Sequence, residues 1–283
     1  MSRSSWVTVT AKARCPICGE PDWCGFAPDG TAVCCMRTPS DREMKNGGWF
    51  HWMPGKQAPK VLPKPPARRK EAPTLSADGW RALFARLWQG TGHGALAGYA
   101  AELGVSHSAL IGLEAALYSP GVWAFPMRDA TGDIVGARLR ANNGRKWAVD
   151  GSHAGLIYSE QWAESPVAMV CEGPTDTAAA MTLGFGAIGR PSCRGQEDIV
   201  RDLLAKYRGA VVVMCDRDTP KKRPDGSFWF PGQEGAAHLA DTLKRPVRIV
   251  SPVGKDIRAW LLAGATRSAV DSLISCAKWR NVR

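Results

Sequence analysis

The stretch Val167-Ala-Met-Val-Cys-Glu-Gly-Pro-Thr-Asp176 decides the fold, because five apolar residues run directly into an acidic turn. Short apolar runs of this kind are typical of strands buried in a parallel sheet. Gly173 permits a tight turn into the helix that residues 175–183 predict. A carboxylate at the C-terminal end of such a strand lies at the edge where α/β sheets bind their ligands.

The same arrangement recurs twice downstream. The run Val211-Val-Val-Met-Cys215 ends in Asp216-Arg-Asp218, and the run Val247-Arg-Ile-Val250 leads to Gly254-Lys-Asp256. Alternate residues of an extended chain point the same way, so the two aspartates of Asp216-Arg-Asp218 can share an ion. Any single acid could be a solvated loop carboxylate. Acids at three strand ends repel one another, and we expect Mg²⁺ or Mn²⁺ with phosphate oxygens among them.

Strand and helix patterns alternate along the second half of the chain, which predicts a parallel sheet covered by helices on both faces. Predicted strands cover 167–171, 187–188, 210–215 and 247–251, and predicted helices cover 175–183, 198–207, 235–243 and 256–263. Upstream, we predict helices over 78–88, 96–103 and 108–117, and a hairpin of strands 122–127 and 134–140 around Asp129-Ala-Thr-Gly132.

Cysteine usage predicts a metal site near the N-terminus. Five of nine cysteines lie within twenty-one residues: Cys15, Cys18, Cys24, Cys34 and Cys35. Residues 1–10 lack the apolar core of a signal peptide, so we expect a reducing, cytoplasmic location and no disulfide framework. Cys15-Pro-Ile-Cys18 has the spacing of a zinc knuckle. A hairpin around Pro28-Asp-Gly30 would return Cys34 and Cys35 to it, as in a zinc ribbon.

The zinc ligand set is less clearly defined, because no second Cys-x-x-Cys pair follows. We favour Cys15, Cys18, Cys35 and His51 as ligands of a structural zinc ion, with Cys24 and Cys34 as alternates. Five free thiols are the alternative interpretation.

Composition limits the function classes. The chain has 283 residues, 45% of them hydrophobic, and a net charge of +11. This composition excludes a wholly disordered chain, and the positive charge favours a polyanionic partner. No apolar run approaches the roughly 18 residues of a membrane helix, so we expect no membrane partner.

The acidic pattern resembles the TOPRIM domain that DnaG-type primases, topoisomerases and some nucleases share. Residues 123–140 resemble the primase stretch in which a Pro- and Arg-bearing strand turns through Asp-x-x-Gly into a strand ending in arginine, here Arg140. Gly144-Arg-Lys-Trp147 resembles the basic motif whose lysine, here Lys146, lies across the cleft from the acids. Residues 232–237 resemble the segment after the paired aspartates. The resemblance covers most of residues 15–265 and is greatest to compact phage and plasmid primases.

The resemblance implies an α/β chain: an N-terminal zinc ribbon, a mixed α+β subdomain and a Rossmann-like TOPRIM domain with a parallel sheet. The domains would be the ribbon at 1–53, a basic Pro-rich linker at 54–75, the first core subdomain at 76–165 and the TOPRIM domain at 166–283.

The implied activity is that of a DNA primase, a DNA-directed RNA polymerase that makes short RNA primers on single-stranded DNA from nucleoside triphosphates. In two-metal nucleotidyl transfer, the ligands of Mg²⁺ or Mn²⁺ would be Glu172, Asp216 and Asp218. Arg140 and Lys146 would be further catalytic groups. The implied cofactor-binding residues are Gly173, Asp176, Lys255 and Asp256. A metal-dependent TOPRIM nuclease and a zinc-ribbon protein that binds single-stranded DNA are the alternatives.

The chain also departs from the primase pattern. Residues 219–231 insert a basic, aromatic loop with Lys221, Lys222, Arg223, Phe228 and Trp229. This loop could clamp single-stranded DNA by charge and stacking, or be a mobile surface loop. No P-loop is present, so we expect no fused helicase, and a replicative helicase acting in trans is an open partner.

Overall fold

The computed structural model describes residues 6–44, 47–53, 74–222 and 227–280. The chain divides into two units, one formed by residues 1–71 with 220–229, and the other by residues 72–219 with 230–283. Most of the predicted linker at 54–75, and Arg223 of the predicted DNA loop, lie outside the described residues.

The smaller unit contains an antiparallel sheet in the order β1 (Val7–Thr8), β2 (Gly25–Phe26), β3 (Ala32–Cys35) and β4 (Trp49–Trp52). The predicted hairpin is confirmed: β2 pairs with β3, and Gly30 takes a φ of 72° in the turn between them. Asp29 Oδ1 accepts the Thr31 N–H at 3.0 Å, a local bond that favours this turn. A separate antiparallel pair, β13 (Lys221–Lys222) with β14 (Phe228–Trp229), belongs to the same unit.

The predicted parallel sheet is confirmed at the centre of the larger unit. The described part of this sheet has the order β16-β15-β12-β10-β11-β9, in which β15, β12, β10 and β11 are parallel to one another. The antiparallel edge strands β9 and β16 were not predicted, because two residues are too short for a periodic pattern. The strands are β9 (Ile157–Tyr158), β10 (Val167–Glu172), β11 (Gly186–Arg190), β12 (Ala210–Met214), β15 (Val247–Val250) and β16 (Trp279–Arg280).

Helices cover both faces of this sheet, as the continuous apolar strands require. One face packs on α4 (Gly173–Thr182), α7 (Ile257–Leu262) and α8 (Arg267–Cys276). The other packs on α5 (Glu197–Leu204) and α6 (Pro231–Thr242). Alternate residues of β10 show the division, since Met169 lies in the first core and Val170 in the second. Helix α8 was not predicted from the sequence.

An antiparallel sheet precedes the parallel one, in the order β5 (Ala116–Ser119), β6 (Val122–Arg128), β7 (Ile134–Ala141) and β8 (Lys146–Ala148). Helix α1 (Ala77–Gly90) packs on this sheet through Trp80 and Phe84, and α2 (His93–Leu103) and α3 (His107–Gly112) contribute to the main core.

The predicted helix over 108–117 is wrong in its second half. Helix α3 stops at Gly112, Glu114 takes a φ of 50°, and β5 begins at Ala116. A left-handed residue cannot continue a right-handed helix, and the following residues find partners in β6 instead.

Among the described residues, no helix combines the length and the apolar character needed to cross a membrane.

Adjacent residues of α3 test its packing. Leu110 is fully buried, whereas Ile111 is 41% exposed. Leu110→Ala should lower the free energy of unfolding by about 2–5 kcal/mol, because a cavity remains in the core. Ile111→Ala should cost less than about 1 kcal/mol. Urea unfolding of both variants measures the difference, and equal losses would contradict this orientation of α3.

Candidate active site and metal centre

Four cysteine thiols meet in the smaller unit. The sulfur atoms of Cys15, Cys18, Cys24 and Cys35 all lie within 4.8 Å of one another. Cys24 Sγ is 3.6 Å from Cys18 Sγ and 3.9 Å from Cys35 Sγ. A tetrahedral site with Zn–S bonds of about 2.3 Å has sulfur–sulfur edges of about 3.8 Å. The four thiols therefore fit the ligand set of a structural zinc ion.

Neighbouring donors favour ionised sulfur at this cluster. The N–H groups of Met36 and Thr38 donate to Cys24 Sγ at 3.4 Å and to Cys35 Sγ at 3.3 Å. Arg37 Nη1 lies 3.7 Å from Cys24 Sγ. Hydrogen bonding with Cys15 lowers the pKa of the Cys35 thiol and raises the pKa of Cys24. A bound cation would remove this conflict, because it stabilises all four thiolates together.

The strand register does not bring His51, the favoured fourth zinc ligand, to this cluster. His51 pairs with Val33, two residues before Cys35 and so about 7 Å along the strand from it. Its Nε2 lies 2.9 Å from the Thr38 carbonyl oxygen. Cys24, an alternate in the sequence analysis, is the fourth thiol of the cluster. Within the residues that the structure covers, neither His51 nor Cys34 joins the cluster.

The acids predicted at the strand ends do meet at one edge of the parallel sheet. Glu172 ends β10 and precedes the first turn of α4, Asp216 and Asp218 follow β12, and Asp256 caps α7 after β15. Burial, together with the nearby charges of Asp176, Glu172, Asp256 and Asp218, raises the pKa of Asp216 to about 8. These five carboxyl groups therefore form one electrostatically coupled cluster.

Backbone hydrogen bonds hold several of these acids in place. The Gly232 N–H donates to Asp218 Oδ2 at 3.0 Å, and the Ala259 N–H donates to Asp256 Oδ1 at 2.7 Å. Asp176 differs, because it is only 6% exposed and its Oδ1 is buried without a hydrogen-bond partner among the described residues. Burial raises the pKa of Asp176 to about 7, and the charge of Asp256 acts in the same direction. Crowded oxygen ligands and an unpartnered carboxylate oxygen fit a divalent cation.

Basic groups lie opposite this cluster. Burial and the charge of Asp218 raise the pKa of Glu172, while Lys146, Arg190 and Lys255 act to lower it. Lys146 begins β8, and its Nζ would be 3.6 Å from a Cβ placed on Gly173. The predicted lysine thus lies beside the turn that follows Glu172.

Arg140 lies beside Lys146, because the β7–β8 register pairs the two residues. Its charge acts on the hydroxyl of Tyr99, whose pKa burial raises to about 12. The Tyr99 ring stacks on Trp123 at a centroid distance of 4.2 Å. Arg140 therefore lies near the stacked rings of Tyr99 on α2 and Trp123 on β6.

Sequence analysis missed two further arginines near Glu172. Arg190 ends β11 beside Glu172 in the strand register. Arg138 lies two residues before Arg140 on β7, and the charge of Glu172 acts on it. The alternation of side chains along β7 was the available signal for Arg138, since it must share a face with Arg140.

Comparisons with solved structures show which folds this chain resembles. The sequence matches no protein-family model and no curated protein. The chain is similar in structure to the E. coli primase catalytic core, with a TM-score of 0.54 and 16% identity over 70% of this chain and 79% of that one. It is also similar to a DnaG catalytic core, with a TM-score of 0.53 and 17% identity over 72% of this chain and 79% of that one.

A third similar structure contains both the zinc-binding and the RNA polymerase domains of the Aquifex aeolicus primase. The TM-score is 0.53 and the identity 13%, over 73% of this chain and 63% of that one. The chain thus spans less than two thirds of that structure. The described fold is that of a DnaG-type primase catalytic core, and the four-cysteine cluster fits a zinc ribbon.

The zinc ligand set can be tested by metal content. Cys24→Ser should release zinc, because it removes a sulfur that lies 3.6–3.9 Å from two others. His51→Gln should retain about one zinc ion per chain, since His51 contacts a backbone carbonyl instead. Elemental analysis of the purified variants measures the content. Zinc loss in His51→Gln with retention in Cys24→Ser would restore the original assignment.

The acidic cluster should destabilise the metal-free protein as pH rises. The pKa of Asp216 is raised from 3.8 to about 8, so the folded state keeps a proton that the unfolded chain loses. Stability therefore falls between about pH 4 and pH 8. In Mg²⁺-free buffer, Asp216→Asn should therefore raise Tm by at least about 4 °C more at pH 8.5 than at pH 4, since each kcal/mol corresponds to about 2–4 °C.

Asp202→Asn is the matched control, because Asp202 is exposed and pairs with Arg201 at 3.2 Å. Its effect should be small and nearly equal at the two pH values. An Asp216→Asn gain that is the same at both pH values would contradict the raised pKa.

Proposed function

We propose that the protein is a DNA primase that synthesises short RNA primers on single-stranded DNA. The observation that carries this proposal is the meeting of Glu172, Asp216 and Asp218 at the C-terminal edge of a parallel sheet, within the fold of a primase catalytic core. One of the similar structures is a DnaG primase catalytic domain bound to single-stranded DNA, with a TM-score of 0.52 and 15% identity.

The proposed reaction is nucleotidyl transfer. The 3′-hydroxyl oxygen forms a bond to the α-phosphorus of a nucleoside triphosphate and releases its proton to solvent. The bond from the α-phosphorus to the oxygen that bridges to the β-phosphate breaks, and pyrophosphate leaves. Mg²⁺ or Mn²⁺ bound by Glu172, Asp216 and Asp218 would neutralise the triphosphate and activate the hydroxyl. Asp176 and Asp256 would complete the carboxylate shell, because both act electrostatically on Asp216.

The chain's basic groups would orient the nucleotide. Lys146, whose Nζ lies beside the Gly173 turn, would contact a phosphate there. Lys255 follows β15, which lies on the far side of β12 from β10, the strand of Glu172. The Lys255 carbonyl accepts the Arg217 N–H at 2.7 Å. Arg140, beside the stacked Tyr99 and Trp123, would contact the nucleotide or the template.

The β13–β14 pair is a proposed contact for single-stranded DNA. Phe228 is 58% exposed, and Lys221 Nζ lies 5.8 Å from the centroid of the Trp229 ring. Exposed aromatic rings beside cations suit stacking on bases and contact with phosphates. A helicase partner in trans and a cytoplasmic location stay predictions.

A priming assay tests the proposal. Wild-type protein should convert labelled ribonucleotides into short oligonucleotides on single-stranded DNA of mixed sequence with Mg²⁺ or Mn²⁺. Glu172→Gln should lose at least about 100-fold in rate, on the scale of one lost transition-state interaction. Glu164→Gln, a change at an exposed acid of the same unit, should leave the rate unchanged.

The same assay separates the alternatives. A shortened template would identify a nuclease, and a bound but unaltered template without product would identify a binding protein. Full activity of Glu172→Gln would contradict the site assignment.

A further inference from the structure

Arg138 is a half-buried arginine of the larger unit that lacks an acidic partner among the described residues, unlike the fully buried Arg128 and Arg190. Arg190 donates to Glu197 Oε1 at 2.8 Å and to the carbonyls of Cys193 and Gly195. Arg128 pairs with Glu114. For the half-buried Arg138, the described residues supply no carboxylate within salt-bridge distance, and its one hydrogen bond runs from Nη2 to the Pro191 carbonyl at 3.3 Å. Its Nε is buried without a partner among them.

The alternation of side chains along β7 places the Arg138 guanidinium on the face of this strand that is turned away from α1. Ala137 and Leu139 pack with Trp80 and Phe84 of α1 on one face of β7. Arg138 therefore points to the other face, which it shares with Arg140. Burial lowers the pKa of Arg138 and the charge of Glu172 opposes that shift, so the guanidinium lies within electrostatic range of the acidic cluster.

An arginine in this position is suited to an anion that arrives from solution. A guanidinium stays charged even when partly buried, and its fork of N–H groups matches the geometry of phosphate. The Pro191 carbonyl uses one N–H and fixes the orientation, which leaves other donors available. Glu172 acts on Arg138 electrostatically but does not lie within salt-bridge distance of it.

We propose that Arg138 binds a terminal phosphate of the incoming nucleoside triphosphate, on the cleft wall opposite the acids. This proposal rests on the proposed function and adds a substrate contact to that site. A small phosphate-bearing ligand fits better than the DNA backbone, because Arg138 is half-buried and faces Glu172, whereas backbone contacts are typically made by exposed cations.

Nucleotide binding by the full chain tests the proposal without turnover. Equilibrium binding of ATP and of AMP is measured in Mg²⁺ for wild type, Arg138→Gln, Arg138→Lys and Arg201→Gln. Arg138→Gln should weaken ATP binding by about 10- to 100-fold, the scale of a charged hydrogen bond, and AMP binding by less than about 2-fold. Arg138→Lys should recover part of the loss, because it keeps the charge without the fork.

Arg201→Gln is the matched control, since Arg201 is partly exposed and already pairs with Asp198 and Asp202. It should leave both affinities unchanged. Thermal unfolding of each variant checks the fold. A merely structural role for Arg138 would weaken ATP and AMP equally, and that result would overturn the proposal.

Other outcomes are equally decisive. Unchanged ATP affinity with a weaker, less salt-dependent affinity for single-stranded DNA would assign Arg138 to the DNA backbone and overturn the proposal. If the wild type binds ATP but makes no primers, the primase function alone is refuted. The ATP affinities of the Arg138 variants would still test the phosphate contact. A wild type that binds no ATP would overturn both.

Discussion

The architecture depends on one electrostatic constraint: several carboxyl groups are forced together where parallel strands end. The strands place Glu172, Asp216 and Asp256 at one edge, and burial leaves Glu172 and Asp216 little contact with water. Such a cluster costs stability unless protons or cations neutralise it. The apolar strands and the helices on both faces must outweigh that cost.

The sequence pattern predicted the central parallel sheet well, because its strands are continuous apolar runs and are also buried in the structure. Apolar runs such as 167–171 and 210–215 are buried on both faces, so no polar residue interrupts them. Turn residues were equally informative, since Gly30 and Gly173 adopt the positive φ that only glycine tolerates well. The acidic edge followed directly from the order of these strands.

What the sequence did not predict depends on long-range register or on very short elements. Spacing could not choose between Cys24 and His51, because the choice follows from which residues of β3 and β4 stand opposite each other. The end of α3 follows from the left-handed Glu114 and from pairing with β6. Arg190 gave no signal, because a lone arginine after a short strand is indistinguishable from a surface charge until Glu197 and the neighbouring Glu172 are placed.

The two-residue edge strands have a consequence for behaviour in concentrated solution. A parallel sheet exposes unpaired N–H and C=O groups along its outer strands, and another chain can add there as an extra strand. Here β9 and β16 run antiparallel to the strands that they cover and are each only two residues long. Arg280 adds a charge to one of them. Such short edge strands offer few backbone groups for pairing with a strand of another chain, which disfavours aggregation through the sheet edges.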